Sequence, residues 1–334
     1  MVKVFSSGSL EHLADKSIAV IGYGNVGRSL ALNFRDSGLN VVVGDLLGNE
    51  YSKRAKADGF EPRPIPEAAE LGDVVVLALP DDVTPEVFKA EVVPGLHAGK
   101  TLILTSGMPT AYGLIPVPGD VDTALFVPKV PGVVIRDRYL EGKGYAAVVG
   151  VVQDASGNAL NTALAIAAAA GTFRQGGFAL EASAEQEALA DLIGEQVLKA
   201  ALLAAMEVAF TAMTKAGVPP ELAALELYAS GELGELARLM ALMGPYGALK
   251  LQSPVDAYGQ LTRLREYVRA MEPIAESIVD ELRTGEFIRD LYLERATGYI
   301  KLNSMWRASV TGELARADSR LRSLHQSSVG PPRV

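Results

Sequence analysis

The sequence predicts an α/β fold in which a parallel sheet is followed by an all-helical domain. A glycine-rich turn, Gly22-Tyr23-Gly24-Asn25-Val26-Gly27, stands between an apolar, strand-like run and a helix-like segment. Apolar runs without alternation recur as far as residue 152, and such runs are typical of strands that a parallel sheet buries on both faces. From Ala184 to Leu324 the periodicity is helical, in stretches rich in Ala, Leu, Met and Glu.

The glycine-rich turn is the centre of a predicted βαβ unit whose second strand ends at Asp45. In such a unit Gly22 permits a tight turn, Gly24 lets the backbone approach a pyrophosphate, and Gly27 lets the helix pack closely on the sheet. An acidic residue roughly 20 positions after the turn belongs to the same pattern. An ordinary glycine-rich turn is the alternative, but the flanking strand and helix patterns favour a Rossmann-type domain with residues 22–27 and Asp45 at the cofactor.

Four polar residues follow the ends of predicted strands: Asp45, Asp81, Ser106 and Lys129. The strands themselves are predicted at residues 18–21, 41–43, 74–79, 101–104, 125–127 and 146–152. Ligands of open α/β sheets bind beyond the carboxyl ends of the strands, so these four side chains are candidates for one shared crevice. Each of them could instead be a turn residue that binds nothing.

The length of 334 residues suggests two domains. Residues 1–182 are predicted to form the dinucleotide-binding domain, with a polar lead-in before its first strand. Residues 183–326 are predicted to form a helical domain for substrate binding and dimerisation, and residues 327–334 a flexible tail. The stretch of residues 200–213 is apolar around more of its circumference than a solvated helix should be, which favours a homodimer or an assembly of dimers.

The composition excludes several classes of partner and site. A formal net charge of −9 argues against nucleic acid and anionic membranes as partners. A chain without Cys has no disulfide, thiolate nucleophile or Cys-based metal site, which fits a reducing cytoplasm. The most apolar helical stretch, residues 197–213, is interrupted by Lys199 and Glu207, so no transmembrane helix is predicted. The N-terminus lacks a signal-peptide pattern. The sequence therefore predicts a soluble cytoplasmic protein.

Two carboxylates in the helical part, Asp191 and Glu195, are spaced so that both lie on one helical face. Like charges on a partly apolar face repel each other unless a cation lies between them, and hard oxygen ligands suit Mg²⁺. On spacing alone, a solvated acidic face is the favoured interpretation of this pair.

Several short motifs occur in order along nearly the whole chain. They are Ile21-Gly22-Tyr23-Gly24, Arg35-Asp36-Ser37-Gly38, Leu79-Pro80-Asp81, Pro128-Lys129 with Pro131-Gly132, Gln153-Asp154-Ala155-Ser156-Gly157-Asn158-Ala159, Asp191 with Gly194-Glu195-Gln196, and Ala216-Gly217 with Pro220-Glu221. The runs that begin at Gln153 and Asp191 are specific. With these motifs the chain resembles ketol-acid reductoisomerase, the Mg²⁺- and NADPH-dependent enzyme of branched-chain amino-acid synthesis.

The resemblance implies a Rossmann-type N-terminal domain and a knotted helical C-terminal domain, in dimers whose active sites are shared between protomers. It adds Leu79, Pro80, Asp81 and Gly132 to the residues expected at the cofactor.

The resemblance also reverses the interpretation of the acidic pair. It implies that Asp191 and Glu195 of one protomer bind metal and meet a glutamate pair of the other protomer, and that Lys129 and Ser253 line the substrate pocket. The glutamate pair corresponds here to Glu226 and Glu232, which we expect at the substrate.

Two departures from the family pattern affect the chemistry. The family carries a His-Gly-Phe segment after the fourth strand, where this chain has Ser106-Gly107-Met108. The second glutamate pair of the family is spaced by four residues, whereas Glu226 and Glu232 are spaced by six. A spacing of six puts the two carboxylates on different helical faces unless the insertion bulges.

These departures favour a diverged relative that keeps hydride transfer and reduces a C=O or C=N bond of a small, carboxylate-bearing metabolite. Lys129 would stabilise charge or donate a proton, and Ser106 would orient the substrate. Asp191 and Glu195 would hold one Mg²⁺, or act as acid and base without it. The alternatives are an authentic ketol-acid reductoisomerase and a non-catalytic dinucleotide-binding protein that keeps the fold for assembly.

The loop after Asp45 predicts that NADH is preferred over NADPH. The family binds the 2′-phosphate of NADPH there through Arg, Ser or Lys, whereas residues 46–51 of this chain contain none of these. An acidic residue at the end of the strand accepts hydrogen bonds from a ribose hydroxyl and repels a phosphate.

Overall fold

The computed structural model describes residues 2–325, and the predicted flexible tail lies outside them. The chain divides into two compact units, one ending at Asp191 and the other beginning at Leu192. The sequence predicts the domain boundary at residues 182–183. The observed division lies a few residues later, inside the helix Ala184–Ile193. The first unit contains a sheet with its covering helices, and the elements described in the second unit are all helices.

The sheet of the first unit has eight strands in the spatial order β1-β8-β7-β6-β5-β4-β2-β3. The strands are β1 (Val4–Phe5), β2 (Ser17–Ile21), β3 (Asn40–Gly44), β4 (Val74–Leu77), β5 (Thr101–Leu104), β6 (Asp122–Pro128), β7 (Ala146–Gln153) and β8 (Phe178–Glu181). The five strands from β6 to β3 are mutually parallel, so their carboxyl ends meet at one edge.

Both faces of the parallel half are buried, as the continuous apolar runs predict. In β2, Ile18 and Val20 enter one hydrophobic cluster, while Ala19 and Ile21 enter another on the opposite face. All four residues have no exposed surface. Alternate side chains of a strand point to opposite faces, so an unbroken apolar run is what a two-sided core requires.

The strands beyond β6, namely β7, β8 and β1, differ from the sequence-based prediction of a parallel sheet. Strand β7 runs antiparallel to β6, and β1 pairs antiparallel with β8. The run that begins at Gln153 therefore lies at the edge opposite to the strand ends that carry Ser106 and Lys129. The polar lead-in contains β1 and a 3-10 helix, Leu10–Leu13. Strands β1 and β8 are not predicted from the sequence, because they are short and partly exposed and so lack a continuous apolar run.

The helices of the first unit cover the two faces of the sheet. They are α1 (Asn25–Asp36), α2 (Glu50–Ala57), α3 (Ile65–Leu71), α4 (Thr84–Val87), α5 (Met108–Ala111), α6 (Gly132–Leu140), α7 (Ala159–Ala169) and α8 (Ala184–Ile193). A π-helix, Phe88–Val92, and a 3-10 helix, Val93–Gly95, follow α4. Helix α1 packs through the fully buried Leu30, Ala31 and Phe34.

The second unit is helical, as the periodicity predicts. Its elements are a π-helix (Gly194–Lys199), α9 (Ala200–Lys215), α10 (Pro220–Ala224), a π-helix (Leu225–Ala229), α11 (Glu232–Met243), α12 (Pro245–Leu249), α13 (Pro254–Thr284), α14 (Glu286–Ala296), α15 (Ile300–Val310) and α16 (Glu313–His325). Proline stands at or near the start of α10, α12 and α13, where its missing N–H group has no helical partner to lose.

The helix from Ala184 to Lys215 is long and apolar enough to cross a membrane by length and composition. It extends over 32 residues, and only 6% of its most apolar window is buried. The expectation that Lys199 and Glu207 exclude such a segment is therefore not met. Length and composition are weak evidence for a membrane, because helices of soluble proteins pass the same test.

Candidate active site

Two of the three glycines in the turn after β2, Gly22 and Gly27, have the backbone geometry that the sequence predicts. Gly22 has a φ of 93°, and a side chain there would lie 2.7 Å from the carbonyl oxygen of Ala78. A side chain on Gly27 would overlap the carbonyl oxygen of Gly22. Nothing lies within 4 Å of the corresponding position on Gly24, so the backbone at the start of α1 is open to a ligand.

A cleft of about 430 Å³ opens at this turn, beyond the carboxyl ends of β2, β3 and β4. Its lining contains eight of the residues predicted at the cofactor: Gly22, Tyr23, Gly24, Asn25, Val26, Asp45, Leu79 and Pro80. Leu46, Asn49, Tyr51 and Thr105 are among the further lining residues. The size and position of the cleft suit a dinucleotide.

Three residues predicted at the cofactor, Gly27, Asp81 and Gly132, are not part of this lining. Gly132 nevertheless lies close, because a side chain there would be 2.8 Å from the backbone nitrogen of Val26. The hydroxyl of Ser29 donates to the Gly132 carbonyl at 2.8 Å, which fixes the start of α6 against α1.

Asp45 anchors the loop between β3 and α2. One carboxylate oxygen accepts from the backbone N–H of Tyr23 at 2.7 Å. The other accepts from the N–H of Leu46 at 2.7 Å and from the side-chain amide of Asn49 at 2.9 Å. The same Asn49 caps α2 by accepting from the N–H of Ser52. The carboxylate thus fixes both the turn and the loop that would face the ribose.

A second polar group lies farther along the same edge of the sheet, where β6 ends. The Nζ of Lys129 donates to Glu187 and, at 2.9 Å, to Asp191. Glu187 also accepts from the backbone N–H of Gly107 at 2.8 Å. Burial lowers the pKa of Lys129, but the hydrogen bonds to the two carboxylates outweigh it, so the net shift is upward. Lys129 is therefore a cation held by two carboxylates.

Glu187 is the functional residue that the sequence argument missed. Its side chain is 2% exposed, whereas that of Asp191 is 50% exposed. The two are one helical turn apart on α8 and converge on Lys129. The signal was present, because carboxylates recur at 187, 191 and 195, but we paired Asp191 with Glu195 only.

Ser106 and Asp81 form a third polar pair, at the ends of β5 and β4. The Ser106 hydroxyl donates to Asp81 at 2.8 Å and accepts from the backbone N–H of Met108 at 3.3 Å. Burial raises the pKa of Asp81 to about 6, and the charges of Glu187 and Asp191 act in the same direction. Asp81 is thus held at this edge by the serine that the sequence predicts beside it.

The other predicted site residues belong to the helical unit. Glu195 accepts from Lys199 at 3.2 Å, and Ser253 caps α13 by accepting from the N–H of Asp256. Glu226 and Glu232 are both exposed, and they lie on separate helices.

Gly231 separates the two glutamates with a φ of 83°, so the six-residue spacing appears as a break in the helix. Within residues 2–325, no three His, Asp or Glu side chains are grouped closely enough to hold a metal ion.

Comparison with known proteins covers both units. Residues 12–176 match the acetohydroxy acid isomeroreductase NADPH-binding domain, and residues 184–327 match the ketol-acid reductoisomerase C-terminal domain. The ketol-acid reductoisomerase (NADP(+)) of Methanopyrus kandleri is 38% identical over 327 residues, which are 97% of this chain and 98% of the relative. The ketol-acid reductoisomerase (NADP(+)) of Caldivirga maquilingensis is 38% identical over 335 residues, which are 98% of this chain and 99% of the relative. This chain belongs to the ketol-acid reductoisomerase family.

A solved structure supports the same assignment. The NADH-preferring ketol-acid reductoisomerase from an uncultured archaeon superposes with a TM-score of 0.90 at 33% identity, covering 96% of this chain and 99% of that one. The α/β fold with a helical C-terminal domain is thereby confirmed.

The family assignment makes the chain an NAD(P)-dependent oxidoreductase of a branched-chain amino-acid biosynthesis family. A relationship that extends over the whole chain also favours the authentic ketol-acid reductoisomerase over the diverged reductase that the departures suggested.

Proposed function

We propose that the protein is a working ketol-acid reductoisomerase that converts 2-acetolactate by alkyl migration and then reduces the resulting 2-keto acid. The observation that carries the proposal is the cluster of Lys129, Glu187 and Asp191 at the edge that also forms the dinucleotide cleft. A buried carboxylate is costly unless it is paired, so a protein without chemistry at this edge would gain nothing from keeping Glu187 there.

Lys129 supplies the positive charge of the reaction. Migration and hydride transfer both put negative charge on a substrate oxygen, and a positioned cation stabilises that charge. Glu187 fixes the direction of the ammonium group, because it is itself held by the N–H of Gly107. The raised pKa of Lys129 keeps the ammonium protonated near neutral pH, so it can also donate a proton to an alkoxide.

Mg²⁺ is proposed to bind at α8 and the π-helix after it. Asp191 and Glu195 offer hard carboxylate oxygens, and their side chains are 50% and 51% exposed. When bound, the ion supplies Lewis-acid polarisation of the substrate oxygens. Glu226 and Glu232 of a second protomer are proposed to complete the site, with Ser253 at the substrate.

NADH is proposed as the preferred cofactor. The buried Asp45 lies in the cleft, and the loop residues beside it, Leu46, Asn49 and Tyr51, carry no positive charge. A carboxylate at the end of this strand favours a ribose hydroxyl over a 2′-phosphate. The similar solved structure from an uncultured archaeon is that of an NADH-preferring ketol-acid reductoisomerase, which supports the same preference. Dissociation constants measured by nucleotide fluorescence should be lower for NADH, and tighter binding of NADPH would refute the preference.

A second candidate function is a reductase of C=O or C=N bonds that has lost migration. The break at Gly231 between Glu226 and Glu232 favours it, because migration needs the fuller metal site. Ser106, where the family resemblance leads us to expect a histidine, favours it as well.

Product analysis by mass spectrometry separates the two functions. The purified protein is incubated with NADH, Mg²⁺ and either 2-acetolactate or the rearranged 2-keto acid. A dihydroxy acid formed from both substrates supports the reductoisomerase, whereas a product from the 2-keto acid alone supports the reductase.

A homodimer, or an assembly of dimers, in the cytoplasm is proposed as the working form. The helical unit has a small cluster of buried apolar residues, Phe210, Ala223, Ala224 and Ala317. In contrast, Leu203 and Val208 on α9 are 66% and 70% exposed. Large exposed apolar faces mark interaction sites, and a second copy would cover this one.

A further inference from the structure

Ser106 lies between two groups of polar contacts at the carboxyl edge of the sheet. On one side its hydroxyl donates to Asp81. On the other side the next residue, Gly107, donates its N–H to Glu187, which binds Lys129. The serine therefore directly precedes the residue that holds Glu187, the buried carboxylate that binds Lys129.

The pair of Ser106 and Asp81 also borders the cofactor cleft. Both residues line a small cavity together with Leu79 and Thr105. Leu79 and Thr105 line the dinucleotide cleft as well. A substrate that extends from the cofactor cleft past Leu79 and Thr105 would thus approach the Ser106 hydroxyl.

The hydrogen-bond directions at Ser106 define what it can do. Its single proton is committed to Asp81, and its oxygen accepts the N–H of Met108. A hydroxyl oxygen has two lone pairs, so one remains for a further donor. Ser106 is therefore arranged to receive a proton from a ligand hydroxyl and to pass its own proton to Asp81.

We propose that Asp81, acting through Ser106, is the proton acceptor for the hydroxyl group of the substrate; the role rests on the proposed reductoisomerase function. The substrate O–H bond breaks as an O–H bond to Ser106 Oγ forms. The original Ser106 O–H bond breaks as the proton bonds to Asp81 Oδ2. The products are a substrate alkoxide and a neutral Asp81 carboxylic acid, with no change of oxidation state.

The electrostatics of Asp81 suit this role. Burial raises its pKa to about 6, the charges of Glu187, Asp191 and Asp82 add to the rise, and the Ser106 hydrogen bond opposes it. Lys129 faces the same edge and binds two of those carboxylates. Asp81 is therefore a stronger base than an ordinary aspartate, yet it is ionised above pH 6 and ready to accept a proton. The turnover rate should fall as the pH drops through about 6.

A double-mutant cycle with Asp81→Asn and Ser106→Ala tests the relay. Each single variant should lower kcat with 2-acetolactate by roughly 10²-fold, and the double variant should be no slower than either single one, because both act in one step. Reduction of the 2-keto acid should fall less than turnover of 2-acetolactate in each variant, since that half-reaction does not use the relay. Ser106→Thr keeps the hydroxyl and should retain most of the activity.

The pH profile and a neighbouring control complete the test. The acidic limb near pH 6 should vanish in Asp81→Asn. In Asp82→Asn the limb should remain and move to lower pH, because a neighbouring negative charge is removed. Far-UV circular dichroism spectra that match the wild-type spectrum show that the variants fold.

Additive losses in the double variant, or an unchanged acidic limb in Asp81→Asn, would overturn the relay while the reductoisomerase function stands. A wild type that turns over neither substrate would overturn the proposed function and the relay with it.

Discussion

Lys129 carries the positive charge that the two carboxylates of α8 share. Glu187 is buried, and removal of its cation would leave a charge at the sheet edge whose remaining hydrogen-bond partner, among residues 2–325, is the Gly107 N–H. The stability and the chemistry of the site therefore depend on the same side chain.

Replacement of this residue, Lys129→Met, should lower kcat for 2-keto acid reduction by roughly 10² to 10³-fold. It should also lower the free energy of unfolding by about 3 kcal/mol, because breaking a buried pair costs more than the pair contributes. Steady-state kinetics and denaturant unfolding measure the two effects. Lys143→Met removes a surface lysine paired with Glu141 and is the matched control, for which both quantities should stay near wild type. Equal activity of Lys129→Met and wild type would remove Lys129 from the mechanism.

At the scale of elements, α2 is held at both ends. Its first turn is tied to Asp45 through Asn49. At its other end, Asp58 accepts from Arg28 at 2.6 and 2.9 Å and from the Tyr23 hydroxyl at 3.0 Å. The helix that follows the loop after Asp45 is thus bonded to the glycine-rich turn and to α1.

Loss of this anchor in Asp58→Asn should weaken NADH binding by roughly tenfold, because a charge-assisted contact contributes about 1.5 kcal/mol. The Arg28 hydrogen bond, followed by that of Tyr23, holds the pKa of Asp58 below its ordinary value against the effect of burial. Because the pKa of Asp58 is lower in the folded than in the unfolded protein, the carboxylate stabilises the fold at pH values above its unfolded pKa, which is about 3.9. This stabilisation is lost as the pH falls through the lower folded pKa. Acid unfolding of wild type should therefore be steeper below pH 4 than that of Asp58→Asn, and coincident acid transitions would contradict the anchor.

Elements can be predicted from the sequence where the local residue pattern is compatible with a single structure. The glycines of residues 22–27 identify the βαβ unit because the positive φ of Gly22 and the close backbone contact at Gly27 tolerate no side chain. The direction of β7 relative to β6 could not be predicted, since a buried strand has the same continuous apolar sequence whether it is parallel or antiparallel to its neighbour. Glu187 was missed because its partner, Lys129, is 58 residues away. The break at Gly231 was foreseen as an irregularity, but whether it would bulge or end the helix depends on packing.

At the scale of the whole molecule, the exposed apolar faces of the helical unit predict a dimer. Wild type should have twice the 35.2 kDa mass of the chain, or an even multiple of it, in light scattering. Leu203→Glu places a charge on the exposed face of α9 and should yield monomers with little activity. Leu71→Glu, at a 49% exposed position of the sheet unit, is the control and should stay dimeric. A monomeric wild type at micromolar concentration would refute the dimer.

The most direct test of the proposed function is the initial rate of NADH oxidation with 2-acetolactate, measured with and without Mg²⁺. A working ketol-acid reductoisomerase should show robust turnover that requires Mg²⁺ and consumes one NADH for each 2-acetolactate. Absence of oxidation with 2-acetolactate, together with rapid reduction of the 2-keto acid, would contradict this function and identify the protein as a reductase that has lost migration.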